Sequence, residues 1–209
     1  MLFINKHISI SQTNVEINGE EIFQRTAGTS ASAYFKEIYK HLELKYMKYF
    51  KMDMLSKLGL LASQMLVNNT GLAEKYRAEA IAVVIGNSSS SIDIDRKFYA
   101  TVLDENDIPA PAQFVYTLPN ILIGEICIKH GFKGETALLV SEKFDALQLE
   151  EYINNMFLFN KKIEAVVCGE VDYFDQSKFN ANLFLVEKID NKENSINFDS
   201  NNLLKLYKS

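Results

Sequence analysis

The feature that most constrains this chain is a series of short apolar runs, each with the length of a β-strand. Residues 80–85 read Ala-Ile-Ala-Val-Val-Ile, and residues 163–168 contain a second run that ends in Cys168. A strand without polar positions must be covered on both faces, and helices on both sides of a sheet provide that cover. Such runs alternate here with amphipathic segments, so the sequence predicts an α/β protein with a largely parallel sheet.

Hydrophobic periodicity and turn residues predict five strands and several helices. The predicted strands cover residues 2–10, 80–85, 136–141, 163–168 and 182–187, and the middle three are interpreted as buried. The predicted helices cover one or two segments within 31–50, then 54–67 capped by Asp53, 92–103, a helix that opens at Pro119 and stops at Gly131, and 144–159. Residues 11–30 are expected to form a loop or a short hairpin.

Composition narrows the functional classes. The chain has 209 residues, of which 47% are hydrophobic and 23% charged, and this composition supports a core and excludes wholesale disorder. A net charge of −5 argues against a general binder of nucleic acid or of anionic membranes. No apolar window reaches ~18 residues, and the first residues lack a signal-peptide pattern. The expected location is therefore the cytoplasm, without a membrane partner.

The cysteines and histidines do not suggest a metal or redox site. Cys127 and Cys168 lie in apolar runs, where a free cysteine behaves as a small buried hydrophobe. The three histidines, His7, His41 and His130, are far apart in the chain and form no ligand pair. The sequence therefore predicts neither a disulfide framework nor a metal site, and no cofactor is expected.

Three blocks of sequence, taken in order, carry a family resemblance. They are residues 50–63, which open Phe-Lys-Met-Asp-Met-Leu; 83–91, Val-Val-Ile-Gly-Asn-Ser-Ser-Ser-Ser; and 118–134, which open Leu-Pro-Asn and end Gly-Phe-Lys-Gly. Their order and spacing resemble the N-terminal half of a β-ketoacyl synthase, a member of the thiolase-like fold. Residues 165–172 and 182–188 resemble the strands that follow in that half. The similarity is greatest to short synthase-like proteins of bacterial aryl-polyene and flexirubin-type pigment pathways.

The resemblance implies a thiolase-like half-fold with three layers (αβα) around a five-stranded, mostly parallel mixed sheet. The implied strand order is 3-2-1-4-5, with the last strand antiparallel. The synthase-like domain would span residues 1–188, and residues 189–209 would form a polar C-terminal tail that is partly disordered or docks weakly. The helix over 144–159 has one apolar face, which suits a stand-alone half-fold.

The nucleophile of the family is missing from this sequence. In working synthases a cysteine opens the helix after the 136–141 strand, where the helix dipole lowers the pKa of the thiol. Counting along the chain puts Lys143 at that position, or Phe144 after a one-residue slip, and neither can form an acyl thioester. Cys168 belongs to the next strand, and His130 matches neither of the two later catalytic residues of the family. The second half of the family fold, which carries those residues, is not expected in this chain.

Four residues are therefore candidates for an acyl pocket or an interface, and none for catalysis: Ser141, Lys143, Phe144 and Asn120. Lys143 with its neighbours Glu142 and Asp145 is interpreted either as a reactive cluster or as the solvated first turn of a helix, and the second is favoured. Residues 86–91, Gly-Asn-Ser-Ser-Ser-Ser, could receive a phosphate at their N–H groups. A tight strand-to-helix connection is the favoured interpretation of that segment.

The expected function is that of a non-catalytic synthase-like partner in type II fatty-acid or polyene (polyketide-type) biosynthesis. The expected partners are an acyl carrier protein, a full-length ketoacyl synthase or both. Residues 136–141 resemble the dimer-forming edge strand of the family, so a homodimer through that strand is a further option, and cover of the edge by the N-terminal or C-terminal segment is the alternative. Two alternatives stay open. One is a 3-oxoacyl synthase-type acyltransferase that is active only with a partner chain, and the other is an acyl-binding protein with its pocket under Phe144. Nucleic acid is not an expected partner.

Overall fold

The computed structural model describes residues 1–103, 110–189 and 195–208. In these residues one sheet carries eight strands: β1 (Phe3–Ile10), β2 (Asn14–Ile17), β3 (Glu20–Gln24), β4 (Ile81–Asn87), β5 (Thr136–Val140), β6 (Ala165–Asp175), β7 (Lys178–Glu187) and β8 (Ile196–Asn197). The helices are α1 (Ala31–His41), α2 (Met54–Val67), α3 (Leu72–Lys75), α4 (Ile92–Leu103), α5 (Pro111–Phe114), α6 (Ile121–His130), α7 (Ala146–Phe159) and α8 (Ser200–Leu206). None of these helices is long and apolar enough to cross a bilayer.

The sheet is mixed and lies between two helical layers. Its strand order is β3-β2-β1-β7-β6-β4-β5, and β8 pairs with the first residues of β1. Strand β4 runs parallel to its neighbours β5 and β6, whereas β7 is antiparallel to both β6 and β1. The predicted three-layer α/β class and the antiparallel last strand are confirmed, but the sheet has eight strands and not five.

The predicted strand order is wrong. With β1, β4, β5, β6 and β7 numbered 1 to 5, the observed order is 3-2-4-5-1, so strand 1 lies beyond strand 5 and not at the centre. Only residues 176 and 177 separate β6 from β7, so these strands must pair as a tight hairpin. The Asp175 carboxylate stabilises its turn by accepting the N–H groups of Ser177 and Lys178. The free side of β7 then receives β1, and the hairpin of β2 and β3 extends the sheet.

Side chains alternate between two cores, one on each face of the sheet. On one face α1, α2 and α6 cover residues such as Val83, Val167 and Leu183. On the other face α7 and α8 cover residues such as Val84 and Cys168. Strands β4 and β6 are buried along most of their length, so this double cover explains the continuous apolar runs of the sequence.

A bulge in β1 changes which core its side chains enter. The register against β7 shifts between Ile4 and Lys6, and Ile4 lies in the α7–α8 core whereas Ile8 lies in the opposite one. Without that shift the two residues would face the same side of the sheet. Next to the bulge, the Lys6 ammonium donates to the carbonyls of Met65 and Asn68 at 2.7 and 2.8 Å. A cation in this position stabilises the C-terminus of α2.

Three predicted elements can be compared directly with the structure. Helix α2 begins as predicted, because the Asp53 carboxylate accepts N–H groups of its first turn. The helix predicted from Pro119 begins at Ile121, because Pro119 lies in the turn before it. The apolar run of β5 does not form a buried strand. It lies at the end of the sheet, and its residues are half-exposed or exposed.

Most of the C-terminal segment is in contact with the α7 layer. Residues 195–208 contribute β8 and α8, and Asp199 is the N-cap of α8. Leu203 is fully buried beside α7, and Phe198 fills the same core. The remainder of the predicted tail, residues 190–194 and 209, lies outside the described residues.

His130 makes a partly buried polar contact at the end of α6. Its Nε2 lies 3.1 Å from the Ser63 hydroxyl oxygen, and its ring stacks on Phe132. Burial lowers the pKa of His130 to about 4, so the ring is neutral at pH 7. These contacts make His130 a structural residue of the helical layer.

We expect His130→Gln to reduce the sensitivity of the fold to acid. The unfolded chain protonates His130 near pH 6.5 and the folded chain near pH 4, so the free energy of unfolding falls as the pH drops through this interval. Between pH 7 and pH 4 the wild type should lose about 3 kcal/mol more than H130Q. Urea unfolding at both pH values measures the difference, and the same change at the exposed His41 is the control. Equal losses in wild type and H130Q would contradict this expectation.

Candidate functional site

The parallel strands β4, β5 and β6 end at one edge of the sheet, which is where α/β proteins commonly hold ligands. Residues 141–145 connect β5 to α7 at this edge. Three of the sequence candidates, Ser141, Lys143 and Phe144, lie on this turn. Together with residues of α8 they line an open groove of about 590 Å³, which we call the turn groove.

The charged residues of the turn are solvated. Glu142, Lys143 and Asp145 are all exposed, and Asp145 caps α7 by accepting the N–H of Gln148 at 2.9 Å. The Ser141 hydroxyl donates to the carbonyl of Lys143 at 2.7 Å and stabilises the turn. The geometry supports the first turn of a helix and not a reactive lysine cluster.

Phe144 closes the space behind the turn. Its ring stacks on that of Tyr207, with the ring centroids 4.5 Å apart and 6° between the planes. The cavity beneath it, bounded in part by Gly86, Gly169 and Glu170, measures about 10 Å³. That is about the space of one water molecule, whereas small-molecule sites generally measure about 300 Å³ or more. In this arrangement an acyl chain has no room under Phe144.

A buried carboxylate, that of Glu170, lies behind Phe144 and is 2% exposed. It accepts hydrogen bonds from the Tyr207 hydroxyl at 2.5 Å and from the Asn180 amide at 3.3 Å. Asn180 also donates to the Tyr207 oxygen at 2.9 Å. Burial raises the pKa of Glu170, and the two hydrogen bonds that it accepts oppose the shift. Side chains from β6, β7 and the C-terminal segment thus form one polar network.

A second contact holds the main chain that follows α8. The Asn182 side chain donates to the carbonyl of Lys208 at 2.8 Å and accepts the Lys208 N–H at 3.0 Å. The Lys208 ammonium lies 2.7 Å from the Glu16 carboxylate. Residues 207–208 are therefore bound to β6, β7 and β2 through polar groups.

The serine-rich turn after β4 is bonded internally. The buried Asp172 carboxylate accepts the N–H groups of Ser88 and Ser89 at 3.1 and 2.7 Å, and also the Ser89 hydroxyl at 2.7 Å. The side-chain oxygen of Asn87 accepts the N–H of Ser90 at 2.5 Å. These donors are the ones that a phosphate would need. Because the Asp172 carboxylate and the Asn87 side-chain oxygen already bind these donors, the geometry supports a tight connection between β4 and α4.

Asn120 does not join the turn groove. It is exposed at the start of α6 and lines a separate groove of about 560 Å³ between α6 and β5, together with Gly124, Cys127 and Leu138. The four sequence candidates therefore lie on two surfaces, three at the turn after β5 and one beside that strand.

Sequence reasoning missed Tyr207, Glu170 and Asn180. One signal in the sequence could have found this site. Glu170 lies within a buried apolar strand, and a carboxylate there needs a hydrogen-bond donor. The donor, Tyr207, is 37 residues further along the chain, in a segment whose composition indicates no partner. Sequence spacing alone does not pair these residues.

Burial disfavours the thiolate form of both cysteines. Burial raises the pKa of the fully buried Cys168 far above its ordinary range and that of Cys127 to about 11. A nucleophilic cysteine has a lowered pKa instead. Among residues 1–103, 110–189 and 195–208, no group of three His, Cys, Asp or Glu side chains is arranged to hold a metal ion.

The outer edge of β5 is open within the described residues. The hydrogen bonds between β5 and β4 use the odd-numbered residues from Glu135 to Ser141. Because these bonds alternate along a parallel ladder, the N–H and C=O groups of Thr136, Leu138 and Val140 point outward. Strand β5 therefore offers a row of backbone donors and acceptors to another strand.

Solved structures share this architecture, although the sequence matches no protein-family model and no curated protein. The ishigamide ketosynthase/chain length factor aligns over 92% of this chain and 63% of its own, with a TM-score of 0.68 and 17% sequence identity. The fold is that of ketosynthases and chain length factors. The predicted resemblance to a thiolase-like synthase is thereby confirmed at the level of the fold.

Two further structures show the same ketosynthase fold. One is a ketosynthase (ApeO) in complex with its chain length factor (ApeC) from Xenorhabdus doucetiae, with a TM-score of 0.57 and 10% identity over 91% of this chain and 81% of that chain. The other, AntDE:AntF, holds a type II PKS acyl-carrier protein in complex with its ketosynthase bound to the hexaketide. It has a TM-score of 0.59 and 15% identity over 89% of this chain and 62% of that chain. This chain thus spans less than two thirds of the ishigamide protein and of the AntDE:AntF chain that it matches.

We expect Phe144→Ala to lower the free energy of unfolding by about 2 kcal/mol, because the ring loses its stack on Tyr207 and leaves a cavity beside Glu170. Lys143→Ala, one residue earlier on the same turn, is the matched control. It should change that free energy by less than about 0.5 kcal/mol, because Lys143 is exposed. Urea unfolding followed by circular dichroism measures both. A larger loss for K143A than for F144A would show that the turn is stabilised by its charge and not by the stack.

Proposed function

We propose that this chain is a non-catalytic ketosynthase-like protein that pairs with a full-length ketosynthase in type II fatty-acid or polyene (polyketide-type) biosynthesis. The observation that carries the proposal is a ketosynthase fold with Lys143 and Phe144 at the turn where a nucleophile is expected, and with a β5 edge that no described strand covers. Similar structures include a ketosynthase with its chain length factor and one with an acyl carrier protein, and such pairs support a partner role.

The chemistry of the turn supports a role without catalysis. A nucleophile in an acyl transfer must be activated, by a base or by a lowered pKa. The start of α7 carries an exposed lysine, a stacked phenylalanine and the carboxylate of Asp145, and a carboxylate raises the pKa of a neighbouring thiol. Cys168 lies in the core with a strongly raised pKa. These groups favour a scaffold over an acyltransferase.

The backbone of β5 supports strand pairing as the mode of docking. Its outward N–H and C=O groups, at Thr136, Leu138 and Val140, can hydrogen-bond a strand of a partner. Proteins usually protect a free edge with a charge, a proline or a bulge. Strand β5 itself reads Thr-Ala-Leu-Leu-Val, and the charges nearest to it, those of Glu135, Glu142 and Lys143, flank the strand and leave its outward backbone groups uncovered.

Apolar surface continues the β5 edge on both sides. Val140 is 58% exposed at the end of the strand, and Phe159 of α7 is 80% exposed. Two grooves flank the strand: one of about 560 Å³ is formed with α6, and one of about 600 Å³ runs along α7 from Glu135 to Phe159. Exposed apolar side chains at the two ends of a free strand, with a groove on either side, favour an interaction surface. A ketosynthase strand with apolar flanks is the partner that fits it.

We expect Val140→Pro to abolish co-purification with the ketosynthase of the same pathway and to leave the chain folded. Proline removes the outward N–H of Val140, while the inward hydrogen bonds of residues 139 and 141 remain. Val140→Ala is the matched control, because it trims the same side chain but keeps the N–H, and it should retain binding. Affinity capture of the co-expressed pair, followed by light scattering on the eluted complex, measures the outcome.

Equal binding by V140P and wild type would show that the β5 edge is not the interface. Failure of the wild type to bind any ketosynthase or acyl carrier protein of the pathway would overturn the proposed function. A homodimer through β5 that excludes the ketosynthase would also overturn it. An acyl thioester on the purified chain, detected by intact mass, would favour the acyltransferase alternative.

A further inference from the structure

We propose that the cleft around Tyr207 is a binding site for a phenolic ring, and that Tyr207 is its internal occupant. The cleft has a stacking wall, the ring of Phe144, and a polar floor made by Glu170 and Asn180. It lies next to the turn groove, and the inference does not depend on docking through β5.

The polar floor suits a neutral hydroxyl group. Glu170 is 2% exposed, and its Oε2 accepts both the Tyr207 hydroxyl and the Asn180 amide. The Tyr207 hydroxyl oxygen lies 2.5 Å from Oε2 of Glu170, the distance of a strong charge-assisted hydrogen bond. The nearby Asp172 carboxylate adds negative charge, so an anionic ligand is disfavoured. The floor thus selects a ligand that donates a hydrogen bond and carries no negative charge.

The stacking wall selects a flat ring. The planes of Phe144 and Tyr207 are parallel to within 6°, and their centroids are 4.5 Å apart, as in stacked aromatic pairs. Gly86 and Gly169 border the small cavity beneath the pair, and neither projects a side chain into it. A ring with one hydroxyl at its inner end therefore fills the cleft, and a phenol is the simplest molecule with this shape.

Tyr207 can leave without unfolding its own helix. Helix α8 is anchored by the fully buried Leu203 and by the Ser200 N–H, which donates to the Glu150 carboxylate at 2.7 Å. Tyr207 follows the last turn of that helix and is half-exposed. Displacement of the Tyr207 side chain breaks its contacts with Phe144, Glu170 and Asn180. The anchors of α8 and the two hydrogen bonds between Asn182 and the Lys208 main chain involve other groups. In the intact chain Tyr207 competes with any external phenol.

The test uses Tyr207→Ala in the full chain, with 4-methylphenol as the probe and toluene as the control of similar size. We expect 4-methylphenol to raise the melting temperature of Y207A saturably. Toluene should bind at least about tenfold more weakly, because it cannot donate to Glu170. Wild type should show no shift, since its cleft is filled. Adding Glu170→Ala to Y207A should abolish the preference for 4-methylphenol over toluene.

A second variant keeps the inference testable if Y207A does not fold. Tyr207→Phe keeps the stack and leaves Glu170 without its hydroxyl donor, so 4-methylphenol should displace the introduced ring and toluene should not. Equal shifts with the two probes, or no shift in either variant, would overturn the inference. Binding of an acetylated Leu-Tyr-Lys peptide without binding of 4-methylphenol would also overturn it, because the site would then recognise peptide backbone through Asn182.

Discussion

Strands β6 and β7 approach each other so closely at Gly169 that no side chain fits between them. A Cβ on Gly169 would lie 2.0 Å from the carbonyl oxygen of Asn182, and the φ of +137° is one that L-residues rarely adopt. The hairpin with this contact carries β4 on one side and β1 on the other. Both cores pack against its two faces. The layers of the fold therefore depend on one close backbone contact.

The polar network of the candidate site depends on the same contact. Glu170 follows Gly169 directly, and Asn180 and Asn182 lie opposite on β7. Their side chains hold the C-terminal segment across the strands through hydrogen bonds to Tyr207 and Lys208. The ketosynthase fold is thus present with acidic and amide groups near the turn where a thiolate is expected. This electrostatic setting disfavours a thiolate.

Local signals in the sequence were sufficient for the elements but not for their arrangement. The apolar runs of β4 and β6 and the Asp53 cap of α2 were correctly interpreted, because burial on both faces and N-capping are encoded within a few residues. The position of β1 was predicted wrongly, because it depends on pairing with β7, nearly the whole chain away. The exposure of β5 was predicted wrongly for a similar reason. Its apolar composition does not show whether a second strand pairs with its outer edge.

The sequence also predicted only part of the candidate site. The turn with Lys143 and Phe144 could be located by counting along the chain from a resembling motif, and the structure places it at the edge of the sheet where parallel strands end. The stack of Phe144 on Tyr207 joins a turn to a segment that lacks any periodic pattern. Contacts of that kind arise from packing between distant parts of a chain, which sequence periodicity does not encode.

The charges that bracket β5 have a consequence for the protein when it is alone. Glu135 precedes the strand, and Glu142 and Lys143 follow it closely. A short apolar strand with free backbone groups can template cross-β stacking, and flanking charges act as gatekeepers against such growth. Lys143 would then contribute to the colloidal stability of the chain. Neutralising these three charges would favour fibrils over docking.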